Sequence, residues 1–202
     1  MKQLFHLFVC LCFISAAAFA QTKDNILPAA VQIKAATQAA PAEFRDGAAV
    51  LGYNSNGELV VLRKGTNDYT CLAPDYRTPK YFAAYCYPNS LEPFMKRGRE
   101  LIAEGKRKDR DAIRQKEVAD GKLPMPKTPT TLFAYWGTLE NLNKETGEMS
   151  DGKRRYVIYV PYARAADLGM SNKPNNLGQP WLMDEGSYKA HIMITPPLDH
   201  KH

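Results

Sequence analysis

His191 and Met193 stand two positions apart in the run KAHIMIT, so on an extended strand they share one face while Ala190, Ile192 and Ile194 take the other. An imidazole beside a thioether is a donor pair suited to copper or haem iron, and Met170 and Met183 lie nearby in the chain. Covalently attached haem is disfavoured, because no Cys-x-x-Cys-His occurs. The plainer alternative is a chain without cofactor, in which His191 hydrogen-bonds at the edge of a core and the methionines fill gaps. As a general base, His191 would need a nucleophile and an orienting carboxylate, and Asp184, Glu185 and Ser187 are close by in WLMDEGSYKAH. Such partners usually meet from distant segments, so nearness in sequence alone does not make a hydrolase. No Gly-x-Ser-x-Gly elbow, phosphate loop, dinucleotide fingerprint or His-Glu-x-x-His helix is present, and whether the chain is an enzyme stays open.

The cysteines carry a second kind of chemistry. Cys10 and Cys12 fall in an N-terminal segment with a short positive start, an apolar run from Leu4 to Ile14, and small residues ending in Ala18-Phe19-Ala20. That is the three-part pattern of a secretory leader cleaved before Gln21, and the run is too short to span a bilayer. Cleavage leaves Cys71 and Cys86, which in an exported protein read first as a disulfide.

Charge and aromatic content suggest two binding surfaces. From residue 96 to 127 there are eleven basic and six acidic side chains, against a net charge of +6 for the whole chain. Lys96, Arg97, Arg99, Arg107 and Arg110 are candidates for contact with an anionic envelope component such as a phospholipid head group. The competing view is a solvated helix face laced with ion pairs. Nucleic acid is not expected, because export removes that partner and no aromatic residues interleave with the charges. Tyr81, Tyr85 and Tyr87, with Trp181 further on, are candidates for holding a small ligand.

The elements that must position these groups can be read in outline. Ala-rich residues 28–40 form a short helix. AAVLGYN and ELVVLRK join through Asn56-Gly57 as a hairpin, and Tyr69 to Ala73 completes a three-stranded antiparallel meander. Residues 74–88 read as an irregular aromatic loop pinned by the disulfide. Asn89 and Glu92 suggest a capping box for the main helix, on which Leu91, Phe94, Met95, Leu101 and Ile102 share a face. A charged helix from about 109 to 120 stops at Gly121. Strands are expected at 131–136, 155–161 and 188–195, with a turn or short helix around 163–168.

The pieces RDGAAVLGY (45–53), CLAPD and AYCY around the cysteines, SLEPFMKRGREL (90–101), KLPMP and PWLMDEGSYKAHIMITP (180–196) together resemble an uncharacterised family of exported bacterial proteins. The resemblance covers most of the chain after the leader. It implies an envelope or secreted location and a shared Cys71–Cys86 bond, and it carries no catalytic residue. The expectation is therefore a leader at 1–20 and a single domain at 21–196, followed by a flexible tail at 197–202. The fold is expected to be α+β, with an antiparallel sheet of about five or six strands packed on one main helix and one disulfide. The protein would be periplasmic or secreted, with no transmembrane segment in the mature chain and a small ligand or an envelope surface as partner.

Overall fold

The structure is a computed structural model that describes residues 26–77, 81–174 and 178–196. The expected leader at 1–20, with Cys10 and Cys12, and the expected tail at 197–202 lie outside the described residues. Strands and helices pack together as an α+β fold. Three helices, α1 (Ala29–Thr37), α2 (Glu92–Ala103) and α3 (Arg110–Ala119), accompany eight strands. These are β1 (Ala49–Tyr53), β2 (Leu59–Arg63), β3 (Tyr69–Leu72), β4 (Phe82–Pro88), β5 (Thr130–Gly137), β6 (Lys153–Tyr159), β7 (Trp181–Met183) and β8 (His191–Ile194). All eight form one sheet in the order β2-β1-β3-β4-β5-β6-β8-β7. The sheet is thus larger than the five or six strands expected, and it is mixed rather than antiparallel.

The one parallel pair has a local cause. The hairpin turn forms where Asn56-Gly57 places it, with Gly57 at φ +80° and the Asn54 side chain accepting from two turn amides. β2 therefore ends beside the start of β1, at Val50↔Arg63. The chain then passes beneath that end, where the backbone amides of Thr66 and Asn67 donate to Gly47 O. It enters β3 alongside Ala49, running in the same direction as β1. Gly65 permits the passage, since a Cβ there would lie 2.7 Å from Ala49 N. The meander is replaced by a hairpin with a parallel return.

The largest correction is β4. Residues 82–88, read as loop, form a central strand between β3 and β5. Phe82, Ala84 and Cys86 are buried on one face, while Tyr85 and Tyr87 pack into the core of the other. A strand covered on both sides shows no polar alternation, so its run FAAYCY lacks the period-two signal. Cys71 and Cys86 are direct partners across β3 and β4, bonded to each other and fully buried. The disulfide ties two neighbouring strands instead of pinning a loop to the sheet.

The two faces carry separate cores. On the first, Ala35, Ala36 and Ala39 present α1 to the cysteines, Phe82 and Ala84, and their small side chains let the helix lie close to the sheet. On the second, Leu91, Phe94 and Leu123 cover Tyr87, Leu132, Ala134 and Val157. The expected main helix, α2, and the two smaller expected helices, α1 and α3, all form, but α1 covers the opposite face of the sheet from α2, so the sheet does not pack on one helix alone. The capping box does not form. Asn89 Oδ1 accepts from Thr70 Oγ1 at 2.7 Å, and the Glu92 carboxylate takes the Tyr87 hydroxyl and Arg99. α2 instead grows out of a 3-10 turn over Asn89–Leu91. Gly105 and Gly121, both at positive φ, end α2 and α3. Of the two forms expected around 163–168, the turn is the one present, over 165–169, and β8 starts at His191 rather than Tyr188.

Among the described residues no helix is long and apolar enough to cross a membrane. A buried disulfide is the state of cysteines in an oxidising compartment.

Candidate functional site

The helices leave part of the second sheet face uncovered. Alternation along each strand brings Ala83 and Tyr85 of β4, Leu132, Ala134 and Trp136 of β5, Arg155, Val157 and Tyr159 of β6, and His191 and Met193 of β8 onto that face. With Met95 from α2 and Tyr81 at the rim, these residues enclose an open cavity of about 450 Å³. A second cavity of about 290 Å³ adjoins it and shares Arg155 and Met193. Its other walls include Trp181, Met183, Gln179 and Thr195. The larger cavity falls in the size range of small-molecule sites, and its walls are mostly apolar and aromatic.

Of the expected ligand-binding residues, Tyr81 and Tyr85 line the larger cavity and Trp181 lines the smaller. Tyr87 does not. It is fully buried under α2, with its hydroxyl between the Glu92 carboxylate and Arg99 at 2.8 Å each.

His191 and Met193 do share a face, as their spacing requires. The His191 Nδ1 lies 2.7 Å from Lys189 O. A carbonyl oxygen can only accept, so Nδ1–H donates this bond, which in the neutral tautomer leaves the lone pair on Nε2. The ring tilts against Tyr159, with centroids 5.4 Å apart. Met183 is the residue directly opposite His191 across the β7–β8 ladder, which sets their Cβ atoms roughly 5 Å apart. Among the described residues no three His, Cys, Asp or Glu side chains gather as a metal site; His191, Met193 and Met183 form a soft donor set on this face. Met170 follows the 165–169 turn and lines neither cavity.

The hydrolase partners are engaged elsewhere. Glu185 accepts from the Ala165 amide and from Asn172, Asp184 pairs with Lys189 at 3.3 Å, and Ser187 Oγ accepts from the Lys189 amide. None of the three hydrogen-bonds to His191.

The basic segment is laced with ion pairs. Arg97 meets Glu100, Glu104 and Glu117, Arg99 meets Glu92, Arg110 meets Asp111, and Lys96 reaches Glu100 at 3.9 Å. Arg107 stands exposed in the α2–α3 connection. Asp111 forms the tightest knot. Its Oδ1 accepts from Arg110 Nε and Arg114 Nη2 at 2.9 Å, and its Oδ2 accepts from Lys189 Nζ at 2.7 Å. Partial burial works to raise the Asp111 pKa, but these three cations outweigh it and hold the carboxyl well below the usual carboxylate range. The knot fixes α3 to the turn before β8, and so fixes the strand that carries His191.

Two tyrosine hydroxyls of the cavity stay protonated over the whole ordinary pH range. Burial pushes Tyr159 up to about 12, and it raises Tyr85 against the opposing pull of Arg155. Arg155, Trp136, Tyr159 and Met95 had no place among the expected site residues, because three separate elements, β5, β6 and α2, supply them. One part was legible: Lys153, Arg155, Val157 and Tyr159 alternate along β6, which puts a cation at the end of an apolar row.

No family model, no curated protein and no solved structure matches this chain.

Proposed function

We propose that this is a non-catalytic exported protein that binds a small, largely apolar ligand in the groove on the second sheet face. The observation that carries the reading is the groove itself, an uncovered cavity of about 450 Å³ walled by four strands and α2. Trp136 and Trp181 are the two tryptophans of the chain, Trp136 lining the groove and Trp181 the adjoining smaller cavity, so intrinsic fluorescence reports on its occupancy. Titration with the neutral dye N-phenyl-1-naphthylamine should give saturable energy transfer from tryptophan. Ala83→Phe, which fills the groove from β4, should weaken that binding at least tenfold. No saturable binding, or binding indifferent to Ala83→Phe, would refute the reading.

Export is supported by the leader pattern at 1–20 and by the disulfide. Mass spectrometry of protein recovered from the cell envelope or medium should find Gln21 at the N-terminus. The carboxylate partners of Arg97, Arg99 and Arg110 favour the groove over the basic segment as the binding surface.

A second reading has its own observation. Met183 opposite His191, with Met193 two positions on, makes an imidazole–thioether set suited to Cu(I). His191 Nδ1 is held by Lys189 O, the kind of outer contact that orients a ligating imidazole. Competition for Cu(I) against bicinchoninate, with His191→Ala as control, decides it, and equal competition by the two proteins would end this reading.

A further inference from the structure

We propose that the groove selects ligands carrying a carboxylate on an apolar body, and that the Arg155 guanidinium recognises the anion. This rests on the reading of the groove as a ligand site. Arg155 stands where the two cavities meet. Among the described residues its side chain makes one hydrogen bond, from Nε to Thr195 Oγ1 at 3.2 Å, and both terminal nitrogens lack an acceptor there. Most other arginines of the described residues have an acceptor, and Arg107 and Arg164 stand exposed to solvent. Arg77, Arg97, Arg99, Arg110 and Arg114 reach carboxylates, and Arg45, Arg63 and Arg154 reach backbone carbonyls.

No Asp or Glu lines either cavity. Lys153, two residues earlier on the same face of β6, also has no carboxylate partner among the described residues. The two cations flank one ring, with Lys153 Nζ 5.4 Å and Arg155 Cζ 5.6 Å from the Trp136 centroid. This end of the groove is therefore a place of uncompensated positive charge beside aromatic walls. A half-buried guanidinium in such surroundings has lost water without gaining an anion. A carboxylate entering the groove meets the open fork of the guanidinium, a geometry that favours two parallel hydrogen bonds. A neutral ligand gains nothing there, and a cationic one is repelled. The rest of the ligand lies against Met95, Leu132 and Val157. Tyr85, close enough for its hydroxyl to feel the Arg155 charge, is placed as a neutral donor to the same anion.

The test is calorimetric titration at pH 7.5 and low salt with two matched sets of probes. One is octanoate, 1-octanol and octylamine; the other is 2-naphthoate and 2-naphthylmethanol. The wild-type protein should bind the carboxylate of at least one set about ten- to a hundredfold more tightly than its alcohol, the range expected for a charge-assisted contact. Arg155→Met should bring acid and alcohol level while leaving alcohol affinity in place, and Arg155→Lys should keep part of the preference. Equal affinities in the wild type, or a preference that survives Arg155→Met, would overturn the assignment while the groove remains a ligand site. Failure of every probe to bind would remove the ligand-site reading as well. If circular dichroism shows Arg155→Met to be unfolded, Arg155→Lys decides, because full retention of the preference in that variant overturns the role of the guanidinium fork.

Discussion

Replacing Asp111 by Asn removes one negative charge with almost no change of shape. In the native fold that charge serves three cations: Arg110, Lys189 and Arg114. Arg114 matters most, because its side chain is only 7% exposed, packs its guanidinium 4.0 Å from the centre of the Phe94 ring, and leaves Nε without a partner among the described residues. Stripping a fully buried ion of its partner costs about 3–5 kcal/mol, and an exposed pair is worth about 0–1 kcal/mol. Asp111 itself is 41% exposed, so solvent screening places this loss between those limits, at about 2 kcal/mol. With a urea dependence of about 2 kcal/mol per molar, the unfolding midpoint of Asp111→Asn should fall by roughly 1 M at pH 7. The pH dependence separates charge from packing. Because the folded carboxyl is held below its unfolded value, its contribution is complete above about pH 4 and is lost as pH falls through the folded value. The gap between wild type and variant should therefore narrow steadily below pH 4. Asp75, Glu104 and Glu185 are also depressed, but they act alike in both proteins and cancel in the difference. A gap under 0.5 kcal/mol at pH 7, or one of unchanged size at pH 2.5, would refute the charge argument.

Other outcomes follow from the same contacts. Removing the disulfide as Cys71→Ala/Cys86→Ala, a closure of 15 residues, should cost about 3 kcal/mol in urea unfolding, and a reductant should destabilise the wild type but not the variant. Phe94→Ala should cost about 3–5 kcal/mol in thermal or urea melts, since the buried ring packs edge-on to Tyr159 and Tyr188 and lies under Arg114. Gln32→Ala should cost about 2 kcal/mol, because its buried amide serves both the amide and the carbonyl of Tyr53 and also Leu27 O; hydrogen exchange should show the Tyr53 amide deprotected. Lys116→Ala, which breaks an exposed pair with Asp120, should change stability by less than about 0.5 kcal/mol.

The groove and the charge knot depend on one another. Lys189 is joined to Asp111, and its carbonyl holds His191 Nδ1. Loosening α3 should therefore reach the groove through β8. The tryptophan-reported affinity of Asp111→Asn for N-phenyl-1-naphthylamine is expected to fall several-fold, whereas Lys116→Ala should leave it unchanged.

Local chemistry was enough to place many of the elements. Asn56-Gly57 demands a tight turn because few other residues accept positive φ there, and Gly105 and Gly121 end helices for the same reason. The spacing of Leu91, Phe94 and Leu101 was sufficient to mark the buried stripe of α2. Period two put His191 and Met193 side by side, and the two cysteines beyond the expected leader implied one bond. Only tertiary structure decided the rest, because it depends on what covers each residue. β4 is central and doubly buried, so its sequence carries no alternation. β3 runs parallel to β1 because Gly47 and Asn67 draw the chain beneath the hairpin, a contact invisible to local pattern. Asn89 and Glu92 had the spacing of a cap, yet Thr70 and Tyr87 offered them better partners. The groove joins side chains from four strands and a helix, and the role proposed for Arg155 follows from the lack of a carboxylate around it among the described residues. That is a property of neighbours in space, which no spacing along the chain encodes.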